Sequence, residues 1–163
     1  MPRSLGSALP PDLLSVLSQA DLPSHLGKGI PLVTVDVEGR PHPMLLSYLE
    51  VRALDPRVIR IAIGVESRSA RNLAERKTAT FLIVEPTRTV YLKTRVRSGP
   101  SPVPGLPALG LFDLVVEDIQ EDAPAAWEGG MRITSGITYA PAPSLAEPWA
   151  KATLLALASA PRG

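Results

Sequence analysis

The residue types best suited to chemistry are concentrated in one turn, Gly64-Val65-Glu66-Ser67-Arg68-Ser69-Ala70-Arg71-Asn72-Leu73. Backbone N–H groups at a helix start point outward and carry partial positive charge, which favours an anion. Arginine adds a planar fork of donors that matches phosphate oxygens. Ser67, Arg68, Ser69 and Arg71 therefore describe a phosphate cradle. The same residues admit a plainer reading: Ser67 or Ser69 caps an ordinary helix, and Arg71 pairs with Glu75 four residues on.

A second basic feature is Tyr91-Leu92-Lys93-Thr94-Arg95-Val96-Arg97. Alternation along a strand puts Tyr91, Lys93, Arg95 and Arg97 on one face. That strip either attracts a phosphorylated ligand, with Lys93 the best placed, or is a solvated outer face that discourages edge pairing. His42 stands between Pro41 and Pro43 and can donate or accept toward a bound ring. Trp127, Tyr139 and Trp149 can stack on a ligand or a partner, although aromatics near a C-terminal helix usually belong to the core. The chain has no cysteine, and His25 and His42 do not form a helical metal pair. It contains no Gly-x-Ser-x-Gly elbow, no Gly-Lys-Ser/Thr phosphate loop and no Gly-x-Gly-x-x-Gly fingerprint. If the protein is an enzyme, a cofactor must carry the chemistry.

The elements that position these residues are mostly strands. Pro11 to Leu17 reads as a short amphipathic helix. Ile30–Val37 and Pro41–Val51 read as a hairpin about Glu38-Gly39, with Val33, Val35 and Val37 on one face. Val58–Ile63 is a third strand, followed by the Ser/Arg turn and a helix over Ser69–Glu75. Thr78–Glu85, Val90–Arg97 and Leu109–Ile119 continue the sheet, and Met131–Tyr139 suggests a seventh, shorter strand. The proline-rich run between Ser98 and Pro107 reads as a loop. Ser144-Leu145-Ala146-Glu147 resembles a capping box that opens a helix through Leu157. The pattern is mainly β: an antiparallel barrel of about six or seven strands, with a short helix between the third and fourth and helices at both termini.

Composition bounds the rest. With 163 residues, one domain over 1–163 is the expectation, and 45% hydrophobic residues suffice for a core. A net charge of +1 argues against a nucleic-acid partner held by bulk charge. No run approaches the roughly 18 apolar residues that span a bilayer, and the N-terminus lacks a secretory apolar core. A cytoplasmic protein without a membrane partner is therefore expected.

Taken in order, Val33-Thr-Val-Asp-Val-Glu-Gly-Arg-Pro-His-Pro-Met-Leu45, Ile59–Gly64, Ser67-Arg-Ser-Ala-Arg-Asn-Leu73 and Ala79–Val84 resemble the pyridoxamine 5′-phosphate oxidase-like family. The resemblance extends over about residues 28–97. It implies a flavin-binding split β-barrel that acts as an FMN-dependent oxidoreductase on a small substrate. It also implies a homodimer with the flavin at the subunit interface. By this likeness Ser67 and Arg68 bind the FMN phosphate, with Ser69 and Arg71 beside them, and Asn72 anchors the turn. His42 and Ser47 lie along the ribityl chain or ring, Lys93 is a further ligand, and Trp127 and Arg132 reach the partner subunit. Many relatives carry Lys where this chain has Ser69, and Met44-Leu45-Leu46-Ser47 lacks the basic residue of the true oxidases. The alternative is thus a non-catalytic barrel that holds haem, the deazaflavin F420 or no cofactor at all, or a dimeric interaction module.

Overall fold

The computed structural model describes residues 2–160. The elements run β1 (Arg3–Gly6), α1 (Pro11–Leu17), β2 (Gly29–Val35), β3 (Pro41–Ser47), β4 (Val51–Asp55), β5 (Val58–Gly64), α2 (Arg68–Arg76), β6 (Thr78–Glu85), β7 (Arg88–Val103), β8 (Leu106–Asp122) and α3 (Pro148–Ala158). Strand order is β3-β2-β6-β7-β8-β5-β4, with β1 added on β8. Every pairing among these strands is antiparallel.

β3 and β4 stand at opposite ends of that order, yet they are consecutive in the chain. A single 3-10 turn, Tyr48–Glu50, joins them. The sheet curls into a barrel whose last seam is bridged by chain and not by a described ladder, which makes it split and not closed. The inner face is apolar: Leu32, Phe81 and Leu92 face Ile59, Ile61, Phe112 and Leu114, all fully buried. Burial of each such side chain stabilises by about 1.5–3 kcal/mol. Leu13 and Leu17 of α1 and Ala70 and Leu73 of α2 join this core.

The seam turn is tied on both sides. The Ser47 N–H and hydroxyl both donate to Glu50 Oε2, at 2.6 and 2.8 Å. Gln19, just after α1, donates its amide to the carbonyls of Tyr48, Leu49 and Val51 at 3.1, 3.3 and 3.0 Å. Gln19 sits at φ +67°, a left-handed conformation that costs a non-glycine residue about 1–2 kcal/mol. The two N–H groups it shares among these three carbonyls offset that strain.

On the outer face α3 covers β5 and β8, where Ala156 and Leu157 pack on Ala62 and Leu111. Arg60 lies beneath the helix. Its Nε and Nη2 donate to the two oxygens of Asp113 at 2.6 and 3.0 Å, both side chains being 5% exposed. Its Nη1 donates to the Ser159 carbonyl at 2.6 Å. A cation at the carbonyl end of α3 also complements the helix dipole.

Several expectations need correction. The strand expected over Pro41–Val51 breaks at Ser47, because the chain must turn there to reach the other end of the sheet. The proline-rich segment is not a loop but the long β7–β8 hairpin. Beyond Arg95, β7 pairs only with β8, through a bulged ladder, so prolines lacking an N–H leave no central bond unmade. Met131–Tyr139 is not a strand. It makes only the isolated Lys28–Thr138 bridge, flanked by the bonds Gly29 to Ile137 and Tyr139 to Gly27. β1 precedes α1, so the first element is a strand and the described sheet has eight. The buried face of β2 is Ile30, Leu32 and Thr34, while Val37 is 55% exposed. Ser144 to Glu147 forms a turn ahead of α3, with Pro148 opening the helix. Trp127, Trp149 and Tyr139 are exposed and not core.

Two measurements check this arrangement. Asp113→Ala leaves the Arg60 guanidinium buried and unpaired, and should cost about 3–5 kcal/mol in urea unfolding. Adding Arg60→Met should recover part of that loss. The second concerns pH. Burial holds the Glu50 carboxyl above the ordinary value of 4.5, outweighing the two Ser47 bonds that pull it down. A raised acid binds its proton more tightly folded than unfolded, so its contribution to stability falls as pH rises through the raised value. Glu50→Gln should therefore gain stability relative to wild type as pH rises above the ordinary carboxyl value of 4.5. A difference that moves the other way contradicts this placement of Glu50.

Candidate functional site

The turn after β5 is built for a helix start. Ser67 has an extended backbone, φ −67° and ψ 152°, and its hydroxyl oxygen accepts the Ala70 N–H at 3.1 Å. Its own N–H donates to the Gly64 carbonyl at 3.1 Å, and its carbonyl accepts the Arg71 N–H at 3.2 Å. Ser67 is thus the N-cap of α2, while the N–H groups of Arg68 and Ser69 have no partner among the described residues. Both readings of the turn hold at once: the helix is capped, and two donors remain free at its positive end.

The arginines divide by role. Arg68 and Arg71 are exposed and take part in no ion pair among the described residues. The Arg71–Glu75 pair that the spacing allows does not form. Glu66 also projects from the turn without a partner. One carboxylate against two guanidinium groups leaves the turn with one net positive charge. Arg76 is committed, since Nε donates to the Asp36 carbonyl at 3.2 Å and Nη2 to that of Val37. It fixes the far end of α2 to the β2–β3 turn. Asp36 orders that turn by accepting the N–H groups of Glu38 and Arg40 at 3.0 and 2.9 Å, and the Arg40 N–H holds its carboxyl below the usual range.

The inner side of α2 is fixed by Asn72. This side chain is 3% exposed, and its Nδ2 donates to Thr34 Oγ1 at 3.0 Å. The Thr34 hydroxyl, fully buried, donates onward to the His42 carbonyl at 3.2 Å. Asn72 thus links α2 to both strands of the first hairpin. Ser69 is 2% exposed and faces the barrel, so its backbone N–H remains the part of it available to the turn.

The structure brings together Ser67, Arg68, Ser69, Arg71 and Asn72, and ties His42 to them through Thr34. It does not bring Ser47 or Lys93 there. Ser47 lies five residues along β3 from His42, about 16 Å at strand rise, with its hydroxyl given to Glu50. Lys93 alternates with the buried Thr94, so it projects from the outer face, where its Nζ lies 3.6 Å from Asp118. The strip beside it behaves alike: Tyr91 donates to Asp122 and Arg95 to Glu117, at 3.1 and 2.6 Å. Trp127 and Arg132 lie in an exposed segment remote in sequence from the turn.

Sequence reasoning missed Thr34. Its signal was a polar residue in the otherwise apolar stripe Ile30-Leu32-Thr34. Tyr139, which the sequence offers as a stacking ring, has its phenol pushed up by burial. Two backbone bonds, Gly29 to Ile137 and Tyr139 to Gly27, carry Tyr139 to the seam.

No protein-family model and no curated protein matches this sequence. Solved structures do match in shape. A candidate pyridoxamine 5′-phosphate oxidase from Lactobacillus delbrueckii aligns with a TM-score of 0.56 at 12% identity, covering 72% of this chain and 98% of that one. A HupZ variant from Group A Streptococcus aligns with a TM-score of 0.55 at 11% identity, covering 70% and 99%. A protein of unknown function from Agrobacterium tumefaciens gives 0.50 at 19% identity, covering 69% and 57%. At such identities the likeness establishes the fold. The chain is a split β-barrel with flanking helices, built like the pyridoxamine 5′-phosphate oxidase-like proteins.

Proposed function

We propose that this chain binds FMN, with the phosphate held at the start of α2, and works as a flavin-dependent oxidoreductase on a small substrate. The observation that carries this reading is the pair of unpartnered guanidinium groups, Arg68 and Arg71, beside two free backbone N–H groups. Arg95, by contrast, is committed to Glu117. Both arginines at this turn are left available, on a surface that Asn72, Thr34 and Arg76 hold rigid.

The donor set fits a phosphate. Where many relatives carry a lysine, Ser69 supplies only its N–H, and Arg71 supplies the second positive charge. FMN, when bound, provides hydride or electron transfer; the chain provides position and charge. The turn opens directly to solvent, so a flavin resting there needs a second wall. A second copy of the chain is the proposed source, giving a homodimer with the site between subunits, and the exposed Trp127 and Arg132 are the proposed cross-subunit contacts.

A second reading is a barrel that binds a ligand such as haem or a deazaflavin without turning over substrate. It is favoured by the commitment of Ser47 to Glu50, which takes that hydroxyl away from a flavin, and by the tie of His42 to the turn through its backbone carbonyl alone. Donor-dependent reduction of bound FMN with passage of electrons to an acceptor would exclude it.

Arg68→Ala should weaken FMN binding by about 1.5–3 kcal/mol, the scale of a lost charged hydrogen bond, without moving the urea midpoint. Unchanged affinity would show that Arg68 is only solvated. Asn72→Ala should lower both, with stability falling by about 0.5–1.5 kcal/mol as the buried bond to Thr34 is lost.

A further inference from the structure

Beneath α3 lies a cavity of about 510 Å³ that the flavin reading does not use. Small-molecule sites typically enclose about 300–1,000 Å³. None of its lining residues belongs to α2 or the turn before it. One wall is apolar, with Pro102 and Leu111 from the β7–β8 hairpin facing Leu155 and Ala156 of α3. Leu155 is 75% exposed and belongs to neither core cluster. The other wall is polar and carries Arg97, Ser98 and Ser101.

Charge in the cavity does not balance. Arg60 and Arg97 both line it, and Asp113 is the one carboxylate among the lining residues. Arg60 is used up: two nitrogens go to Asp113 and the third to the end of α3. Arg97 reaches Asp113 only through Nη2, at 3.4 Å, and its side chain remains 44% exposed. Two guanidinium groups on one carboxylate leave one positive charge, and it resides on Arg97. The other N–H groups of Arg97 and the hydroxyls of Ser98 and Ser101 make no hydrogen bond among the described residues. A planar fork with free donors holds an anion, and a carboxylate accepts two of them at once while its hydrocarbon tail suits the apolar wall.

We propose that this cavity binds a small amphipathic monocarboxylate, its headgroup on Arg97 and the serine hydroxyls and its hydrocarbon tail along Leu111 and Leu155. The feature that defines the site is the unshared guanidinium of Arg97 set against an exposed leucine across an apolar floor.

The test is calorimetric titration of the full chain with sodium octanoate, alongside acetate and octan-1-ol as half-probes. Octanoate should bind saturably at one site per chain, and more tightly than either half-probe. Arg97→Ala and Leu155→Ser should each weaken octanoate by about tenfold or more. Both side chains are exposed, and unchanged urea midpoints would confirm that the variants fold. FMN should not displace octanoate, because the two sites share no residue; this proposal therefore stands even if FMN does not bind. Absence of saturable octanoate binding, octanol binding as well as octanoate, undiminished binding by Arg97→Ala, or displacement by FMN would each overturn it.

Discussion

One buried hydrogen bond, from Asn72 Nδ2 to Thr34 Oγ1, sets the geometry on which the rest of the site depends. A helix of nine residues does not hold itself together in water. α2 persists because Ala70 and Leu73 enter the barrel core and Asn72 fastens it to β2. An apolar residue at position 72 would leave the Thr34 hydroxyl bonded only to the His42 carbonyl and would free the helix to roll. With Asn72 inward and Arg76 on the hairpin turn, rotation about the helix axis is fixed. Arg68 and Arg71 then point away from the barrel.

The barrel itself rests on a different constraint. Its two end strands are neighbours in sequence, so a three-residue turn must span the seam. Gln19 accepts a strained backbone to satisfy three carbonyls there, and Glu50 is buried against its preference in order to bind Ser47. On the outer surface the Arg60–Asp113 pair does similar work for α3. A buried pair of this kind is a modest net source of stability, but it defines where the helix ends, because the third guanidinium nitrogen donates to the Ser159 carbonyl and, at 3.5 Å, to that of Ala156.

The strands from Val58 to Glu85, and the capped helix between them, were legible because alternation, apolar runs and a serine before a polar helix are local signals. The hairpin about Glu38-Gly39 was legible for the same reason. The β7–β8 hairpin was not. Prolines at 100, 102 and 104 read as loop, and only the knowledge that β7 has one neighbour beyond Arg95 makes them compatible with a strand. Met131–Tyr139 failed in the opposite sense: its composition suits a strand, but it makes one isolated bridge, Thr138 to Lys28. In the site, the turn residues were visible as a cluster. Thr34 was not, since its role appears only when Asn72 lies opposite it. Lys93 could not be placed without knowing that Asp118 stands across the ladder.

These constraints give one surface where positive charge is left uncompensated beside free backbone donors, on a fold shared with a candidate pyridoxamine 5′-phosphate oxidase. The central claim is that this surface recognises the phosphate of a flavin nucleotide. Parallel fluorescence titrations with FMN and riboflavin test it most directly, because the two ligands differ only in that phosphate. FMN should bind about tenfold more tightly or better. Equal affinity for the two, or binding of neither, would contradict the account.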